Sequence, residues 1–287
     1  MENTKISRWA TAVLVVGSII GTSWLTSRRN RKKSSEVAPV FEGELDANLT
    51  TPANATFPVM WSSIYAGTLG LAVHQALPSQ VNNERYEKAS PWLVANYVLN
   101  AVYGSLFSHG EKSARVAANV VTIAQLPTVL GLHQALEVGK TEVDEPEKTF
   151  QRTVGLYAGW TTVASGLAVT NLLIEAGYRV GHKQAEPYAV GALSILGGIG
   201  LAVSKKLNDP YYLLPFVAGF TGVAAKQYGR NDLVAGVAGA LALTVAGLFA
   251  QRIQEAKTDV TEQGNDAVVA QAALDEMAEE PYYIDLD

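Results

Sequence analysis

Four aromatic side chains in two apolar stretches are the residues best suited to holding a ligand. Trp61 and Tyr65 belong to one stretch, and Tyr157 and Trp160 belong to another. Tryptophan and tyrosine each offer a flat apolar face and one polar atom, so rings that point into a helix bundle suit a planar ligand such as a tetrapyrrole or a sterol. The alternatives are an aromatic belt at a membrane interface or plain helix packing.

A short repeated motif places two histidines at equivalent positions. Residues 71–77 read LAVHQAL and residues 130–136 read LGLHQAL, which puts His74 and His133 at the fourth position of each. Antiparallel helices bring both motifs to the same membrane face, where two imidazoles could ligate a haem iron or a divalent metal. Alternatively, each histidine stabilises the end of its own helix, where a cation near the terminal carbonyl groups is favourable.

Other common chemistry has no support in the sequence. The chain has no cysteine, which excludes disulfides, a thiolate nucleophile and cysteine metal sites. No serine has histidine and aspartate partners in a plausible order for hydrolysis. Ionisable residues deep within apolar stretches are almost absent, because Glu175 and Lys226 lie near the ends of theirs, and this argues against a proton-coupled pump. No catalytic residue is predicted.

The charged residues avoid long stretches of the chain, and this pattern predicts the fold class. Of 287 residues, 17% are charged, against about 25% in a typical soluble domain. A helix crosses the bilayer core with about 20 mostly apolar residues. Since backbone in lipid must satisfy its own hydrogen bonds, we expect an all-α, polytopic transmembrane bundle of about eight helices. The apolar stretches are 9–26, 57–77, 91–108, 114–136, 150–176, 188–204, 211–226 and 233–251.

The two ends of the chain differ from this body. Residues 28–33 contain five basic residues directly after the first apolar stretch, which favours a retained helix over a cleaved signal peptide. Such a cluster marks the cytoplasmic side and contacts lipid headgroups rather than nucleic acid. From Thr258 onward there are nine acidic residues and no basic ones, so we expect an acidic, largely disordered tail.

Small residues recur four positions apart in the last apolar stretch, as Ala235 with Gly239 and Gly236 with Ala240. Small side chains at such spacing let helices approach closely within lipid. The pattern is consistent with packing inside the bundle, and alternatively with a homodimer or with a partner in a membrane complex.

Three of the apolar stretches carry motifs of a known family. The second begins FPVMWSSIYAG at residue 57, the third contains Asn100, and the fifth contains LYAGWTTVA from residue 156. These motifs resemble the TspO/MBR family, also called tryptophan-rich sensory proteins or translocator proteins. Leu156 stands where the family has a proline, and three further helices follow where the five-helix family stops. The resemblance is therefore to an extended, divergent branch.

The resemblance implies five TspO-like helices and a ligand site between them. Tetrapyrroles and sterol-like lipids are the implied ligand classes, with porphyrin or haem as a candidate. The residues that would line the site are Trp61, Tyr65, Asn100, Tyr157 and Trp160.

The predicted division of the chain follows from these observations. It comprises an N-terminal helix with a basic and polar loop (residues 1–56), the TspO-like helices (57–176), three additional helices (177–254) and the acidic tail (255–287). The predicted function is that of a non-enzymatic membrane receptor or carrier for a tetrapyrrole or another flat hydrophobic molecule. Its partners would be the lipid bilayer and that small molecule, without nucleic acid. The alternatives are a small-solute transporter or channel, and a structural subunit of a membrane complex.

Overall fold

The protein is helical throughout the residues that the structure describes. The computed structural model describes the backbone of residues 2–33, 48–107, 111–178 and 182–279, and the side chains within 8–25, 48–106, 111–178 and 184–256. Within these ranges there are eight α-helices and no strand, which confirms the predicted fold class. The helices are α1 (Glu2–Lys33), α2 (Thr56–His74), α3 (Glu84–Phe107), α4 (Lys112–Ala135), α5 (Glu147–Glu175), α6 (His182–Leu207), α7 (Leu214–Gln227) and α8 (Asp232–Glu279).

Four of these helices are long and apolar enough to cross a membrane by themselves. The qualifying segments are Arg8–Leu25, Lys112–Ala135, Gln184–Leu207 and Asp232–Ala256. The helices α2, α3 and α5 carry more polar side chains, many of which are bonded inside the bundle. The 14 residues of α7 span about 21 Å, less than the bilayer core of about 30 Å. The chain is an integral, multi-pass membrane protein whose outer surface contacts lipid.

The first five helices close into a ring. Helix α1 packs against α2 and α3, α3 packs against α4, α4 packs against α5, and α5 packs against α2. Two short 3₁₀ turns, Pro78–Gln80 and Pro210–Leu213, join α2 to α3 and α6 to α7. The second turn also packs on α5, as do α6 and α7. Helix α5 is therefore shared between the ring and the helices that follow it.

Glycines on α5 let the Pro210–Leu213 turn approach the helix backbone. A Cβ atom built on Gly159 would lie 2.1 Å from the carbonyl oxygen of Tyr212. One turn earlier, a Cβ atom on Gly155 would lie 2.0 Å from Oδ2 of Asp209. No side chain fits at either position, so glycine is required for this contact.

Polar residues gather at the two ends of the bundle. We call the end with Arg8, Asn83 and Glu147 the basal end. There Glu147 accepts two hydrogen bonds from Arg85, at 2.7 and 3.0 Å. These bonds raise the pKa of the Arg85 guanidinium. In the exposed loop before α5, hydrogen bonds from Thr149 hold the pKa of Glu145 below its usual range.

The opposite, apical end is built around Asn48. Its side-chain amide donates to Oγ1 of Thr170 at 3.0 Å and to Oδ1 of Asn171 at 2.9 Å. A half-buried ion pair joins Arg115 to Glu175, with Nε and Oε1 2.6 Å apart. Asn48 begins a glycosylation-type triplet, but it is 5% exposed and bonded on both sides, so its role is to hold the chain before α2 against α5.

The last helix differs from the expectation for the C-terminus. Helix α8 runs continuously from Asp232 to Glu279, and so covers most of the acidic segment for which the sequence predicts disorder. Its composition explains this, because alanine, glutamate and glutamine are good helix formers. Within the described residues, Cβ atoms on Gly236 and Gly239 would meet no atom within 4 Å, so these glycines do not serve a close contact inside the bundle.

Candidate functional site

The structure brings the four predicted aromatic residues into one cluster between α2 and α5. The Trp61 ring lies 5.1 Å from Tyr65, 6.0 Å from Tyr157 and 6.3 Å from Trp160, measured between ring centroids. Phe57, at the start of α2, packs edge-on against Trp160 at 5.8 Å. Tyr157 and Trp160 are buried, whereas Trp61 and Tyr65 are partly exposed. The cluster therefore has a closed floor on α5 and an accessible side on α2.

Asparagines on α3 hold the tyrosine hydroxyls of this cluster. Tyr65 donates to Oδ1 of Asn100 at 3.2 Å, so all five predicted residues belong to one contiguous group. Tyr157 donates to Oδ1 of Asn96 at 2.7 Å, and Asn96 in turn donates to Oγ1 of Thr128 on α4 at 2.9 Å. Because these groups are buried, the bonds fix the ring orientations.

Asn96 is not among the site residues predicted from the sequence. Asn96 lies four positions before Asn100, and side chains at that spacing share one face of a helix. That spacing was the available signal, and it indicates that α3 presents two amides to the aromatic cluster.

Loss of the Tyr157 hydroxyl is expected to destabilise the protein by about 1 kcal/mol. A Tyr157→Phe substitution keeps the ring but leaves Oδ1 of Asn96, which is fully buried, without its donor. The free energy of unfolding in mixed micelles of increasing SDS content measures the effect. Tyr188→Phe is the matched control, because Tyr188 is 64% exposed, and it is expected to change nothing. Equal effects of the two substitutions would contradict the role of the Asn96 bond.

Trp160 connects the aromatic cluster to an internal cavity. The cavity has a volume of about 60 Å³ and lies between α5, α6, α7 and the segment before α2. Its lining is almost entirely apolar and includes Pro52, Phe57, Val163, Leu196, Phe216 and Phe220. Trp160 also lines it, is 2% exposed, and has an indole Nε1–H without a hydrogen-bond partner. A buried donor in that state is unfavourable unless another molecule supplies an acceptor.

The two histidines of the repeated motif lie at the basal end, each with its own partner. Nδ1 of His74 lies 2.8 Å from the hydroxyl of Tyr86. Nε2 of His133 lies 3.0 Å from Oδ2 of Asp209, and both residues are 2% exposed. Haem ligation by His133 through Nε2 would require breaking this buried bond. Among the described residues, no group of three histidine, aspartate or glutamate side chains is placed to hold a metal ion.

His133 and Asp209 instead connect the ring to the helices that follow. His133 lies in the last turn of α4. Asp209 precedes the Pro210–Leu213 turn and caps its first residues by accepting from the backbone N–H of Tyr211 at 2.9 Å. Ser204, near the end of α6, donates to the backbone carbonyl of Asp209 at 2.7 Å. The contact is therefore structural, and it fixes where α7 begins.

Comparison with known proteins identifies the family. The family model described as TSPO-like protein matches residues 41–250, which include α2 to α7 and the first part of α8. This range is wider than residues 50–175, where the motifs of the sequence resemblance lie. No match is found among curated proteins or among solved structures. The matched range covers more than half of the chain and contains the aromatic cluster, so the chain belongs to the family of TSPO-like proteins.

Proposed function

We propose that this protein is a membrane receptor or carrier for a flat hydrophobic ligand, with a tetrapyrrole as the leading class. The observation that carries the proposal is the clustering of Trp61, Tyr65, Tyr157 and Trp160, in which the Trp61 ring contacts the other three rings between two helices. Asn100 adds an amide beside Tyr65. Stacked and edge-on rings suit a flat aromatic molecule, and the amides and hydroxyls supply directional polar contacts.

The unpartnered indole of Trp160 supports a ligand with an acceptor atom. A buried N–H without a partner costs about 1–3 kcal/mol, and this cost is recovered when a ligand oxygen or nitrogen accepts from it. A tetrapyrrole offers carboxylate oxygens for this purpose. An apolar sterol skeleton would leave the indole unsatisfied unless its hydroxyl reached that depth.

The size of the cavity requires the site to open. Pockets for drug-sized ligands have volumes of about 300–1,000 Å³, and the cavity beside Trp160 has about 60 Å³. A tetrapyrrole therefore binds only if rings or helices move. Trp61 and Tyr65 are the partly exposed members of the cluster, so their displacement is the least costly opening. The proposal accordingly requires binding that is coupled to a conformational change.

Titration with protoporphyrin tests the proposal. Binding is followed by the absorbance of the porphyrin. Tryptophan fluorescence is unsuitable, because the double variant described next lacks two of the five tryptophans and its signal cannot be compared with that of the unchanged protein. We expect saturable binding to the purified protein in detergent, and about tenfold weaker binding in a Trp61→Ala, Trp160→Ala double variant. Trp24→Phe is the control, because Trp24 is 53% exposed on α1 and its ring is not one of the four in the cluster.

Two results would contradict the proposal. One is no saturable binding of porphyrin by folded protein. The other is binding of equal strength in the double variant and in the control, which would place the ligand on the general apolar surface. Thermal unfolding of each variant shows whether a loss of binding reflects a loss of fold.

Flux measurements separate a receptor from a carrier and from the alternative of a small-solute transporter. In proteoliposomes, a carrier moves porphyrin between compartments, whereas a receptor binds it without net movement. The three helices α6 to α8 are the feature that motivates the transporter alternative. Flux of a small solute without porphyrin binding would favour that alternative.

A further inference from the structure

A second cavity lies at the basal end, apart from the aromatic cluster. It has a volume of about 60 Å³ and is lined by Arg8, Trp9, Gln75, Ala76, Leu77, Pro78 and Val81. The cavity lies between α1, at Arg8 and Trp9, and the segment that directly follows α2. Two of its lining residues are buried and polar, in contrast to the apolar cavity beside Trp160. We call it the Arg8 pocket.

Arg8 brings a buried positive charge to this pocket. The residue is 2% exposed, and its terminal nitrogens donate to the backbone carbonyls of Gln80 and Asn83, the latter at 3.0 Å. Its Nε–H has no partner, and no carboxylate within the described residues pairs with it. Because burying an uncompensated charge is costly, the guanidinium is set to accept an anion.

Gln75 contributes an amide that is wholly unsatisfied. Its side chain is fully buried, and neither Nε2 nor Oε1 has a hydrogen-bond partner. The two residues that line the pocket therefore carry three unpartnered polar atoms, which are the Nε of Arg8 and the amide nitrogen and oxygen of Gln75. Buried polar groups are nearly always bonded, so three such atoms around one cavity indicate an occupant.

The donor and acceptor pattern selects the chemistry of that occupant. A singly protonated phosphate monoester offers acceptor oxygens and a negative charge to Arg8, and an O–H donor to Oε1 of Gln75. Its second pKa is about 6, so the singly protonated form is present near neutral pH. A phosphodiester has no such O–H, and a neutral lipid has no charge. Water satisfies hydrogen-bonding atoms of either kind, but it brings no negative charge to the guanidinium.

The position of the pocket favours a lipid as the source of the phosphate. The apolar stretch of α1 begins directly after Arg8, at Trp9, which is 59% exposed, as is usual for tryptophan at the headgroup level. We propose that the Arg8 pocket binds a phosphate monoester group, presented by the headgroup of a membrane lipid. This proposal does not depend on the ligand of the aromatic cluster.

Thermal unfolding of the purified full chain in neutral detergent tests the proposal. Dioleoyl phosphatidic acid is compared with dioleoylglycerol, which has the same acyl chains and lacks only the phosphate. We expect the melting temperature to rise with phosphatidic acid in a saturable manner and not with dioleoylglycerol, because a ligand that binds only the folded protein stabilises it. A third arm with inorganic phosphate identifies the source, since equal affinity there would assign the pocket to the free ion.

Variants connect the effect to the pocket. Arg8→Lys keeps the charge but removes Nε–H, and Gln75→Leu removes the amide at similar volume. Each is expected to weaken the binding of phosphatidic acid about tenfold, the usual effect of losing a charge-assisted hydrogen bond. Arg152→Gln is the matched control, because Arg152 is also a guanidinium at the basal end, with a 40% exposed side chain bonded to Glu145, and this variant should bind normally.

The outcomes separate the proposal from its competitors. Stabilisation by phosphatidic acid that is unchanged in Arg8→Lys and Gln75→Leu would overturn it, as would an equal response to dioleoylglycerol. No response to phosphatidic acid or inorganic phosphate would mean that the pocket holds only water. Since Gln75→Leu replaces an unsatisfied polar group with an apolar one, it should fold even if Arg8→Lys does not.

Discussion

A Gly159→Ala substitution is expected to destabilise the protein by about 3 kcal/mol. The added Cβ would lie 2.1 Å from the carbonyl oxygen of Tyr212 and 3.0 Å from the carbon of the same group. These are backbone atoms of a turn whose side chains Tyr212 and Leu213 are each 1% exposed. Rotation of a side chain cannot relieve the contact, so α5 and the turn must separate. Unfolding in mixed micelles of increasing SDS content measures the loss.

A second glycine provides the control for this prediction. Gly198 lies within α6, and a Cβ atom there would meet nothing within 4 Å. Gly198→Ala is expected to leave the protein unchanged or to stabilise it by up to about 1 kcal/mol, because alanine favours the helix. If Gly159→Ala and Gly198→Ala gave similar free energies of unfolding, the close approach of the turn to α5 would not exist.

A His133→Leu substitution is expected to destabilise the protein by about 3–5 kcal/mol. The imidazole is the buried partner of the Asp209 carboxylate, at 3.0 Å, and leucine would leave that carboxylate buried without it. Asp209 would keep the hydrogen bond that it accepts from the N–H of Tyr211, but that bond does not offset the loss of the imidazole. The same SDS titration measures the free energy.

Asp209→Asn is the companion variant. The amide oxygen still accepts from the Tyr211 backbone, and the amide still bonds to a neutral imidazole, so a loss of about 1 kcal/mol is expected. If His133→Leu lowered the free energy of unfolding no more than Asp209→Asn does, the carboxylate would have found another partner or water. That result would contradict the role of the His133–Asp209 bond in connecting α4 to α7.

The sequence predicted the helices well because lipid imposes a strict rule on them. Backbone groups in hydrocarbon must bond within the helix, so long apolar stretches and polar loops mark the spans. The stretch 150–176 corresponds to α5, Glu147–Glu175. The seventh stretch, 211–226, corresponds to a 3₁₀ turn followed by the short α7, because Asp209 and Pro210 start the turn before the helix. The hydropathy of the stretch does not indicate where the 3₁₀ turn ends and α7 begins.

The aromatic cluster was predictable only through the family resemblance. Composition treats Trp61 and Trp92 alike, yet Trp61 joins the cluster, whereas the Trp92 ring packs against Gly131 on α4. Which tryptophan belongs to a site depends on the rotation of each helix about its axis. In a helix whose apolar residues lie on all sides, the sequence pattern does not indicate that rotation.

The polar contacts at the basal end could not be derived from the sequence. Nothing in the motif LGLHQAL indicates that His133 pairs with an aspartate 76 residues later. In the same way, Arg8 reads as an ordinary interfacial arginine next to a membrane helix, and Gln75 as an ordinary residue after one. Their lack of partners is a property of the folded chain, because it depends on what surrounds each atom in three dimensions.

The sharing of α5 has a consequence for dissecting the protein. One side of α5 forms a wall of the five-helix ring, and its glycine groove at Gly155 and Gly159 receives the Asp209–Leu213 segment. A chain cut after α5 would expose that groove and the apolar side of Trp160 to lipid, and would strip His133 of its carboxylate. The first five helices therefore do not form a unit that can be separated from the rest, and a truncated chain would report on the lost contacts of α5 rather than on the aromatic cluster alone.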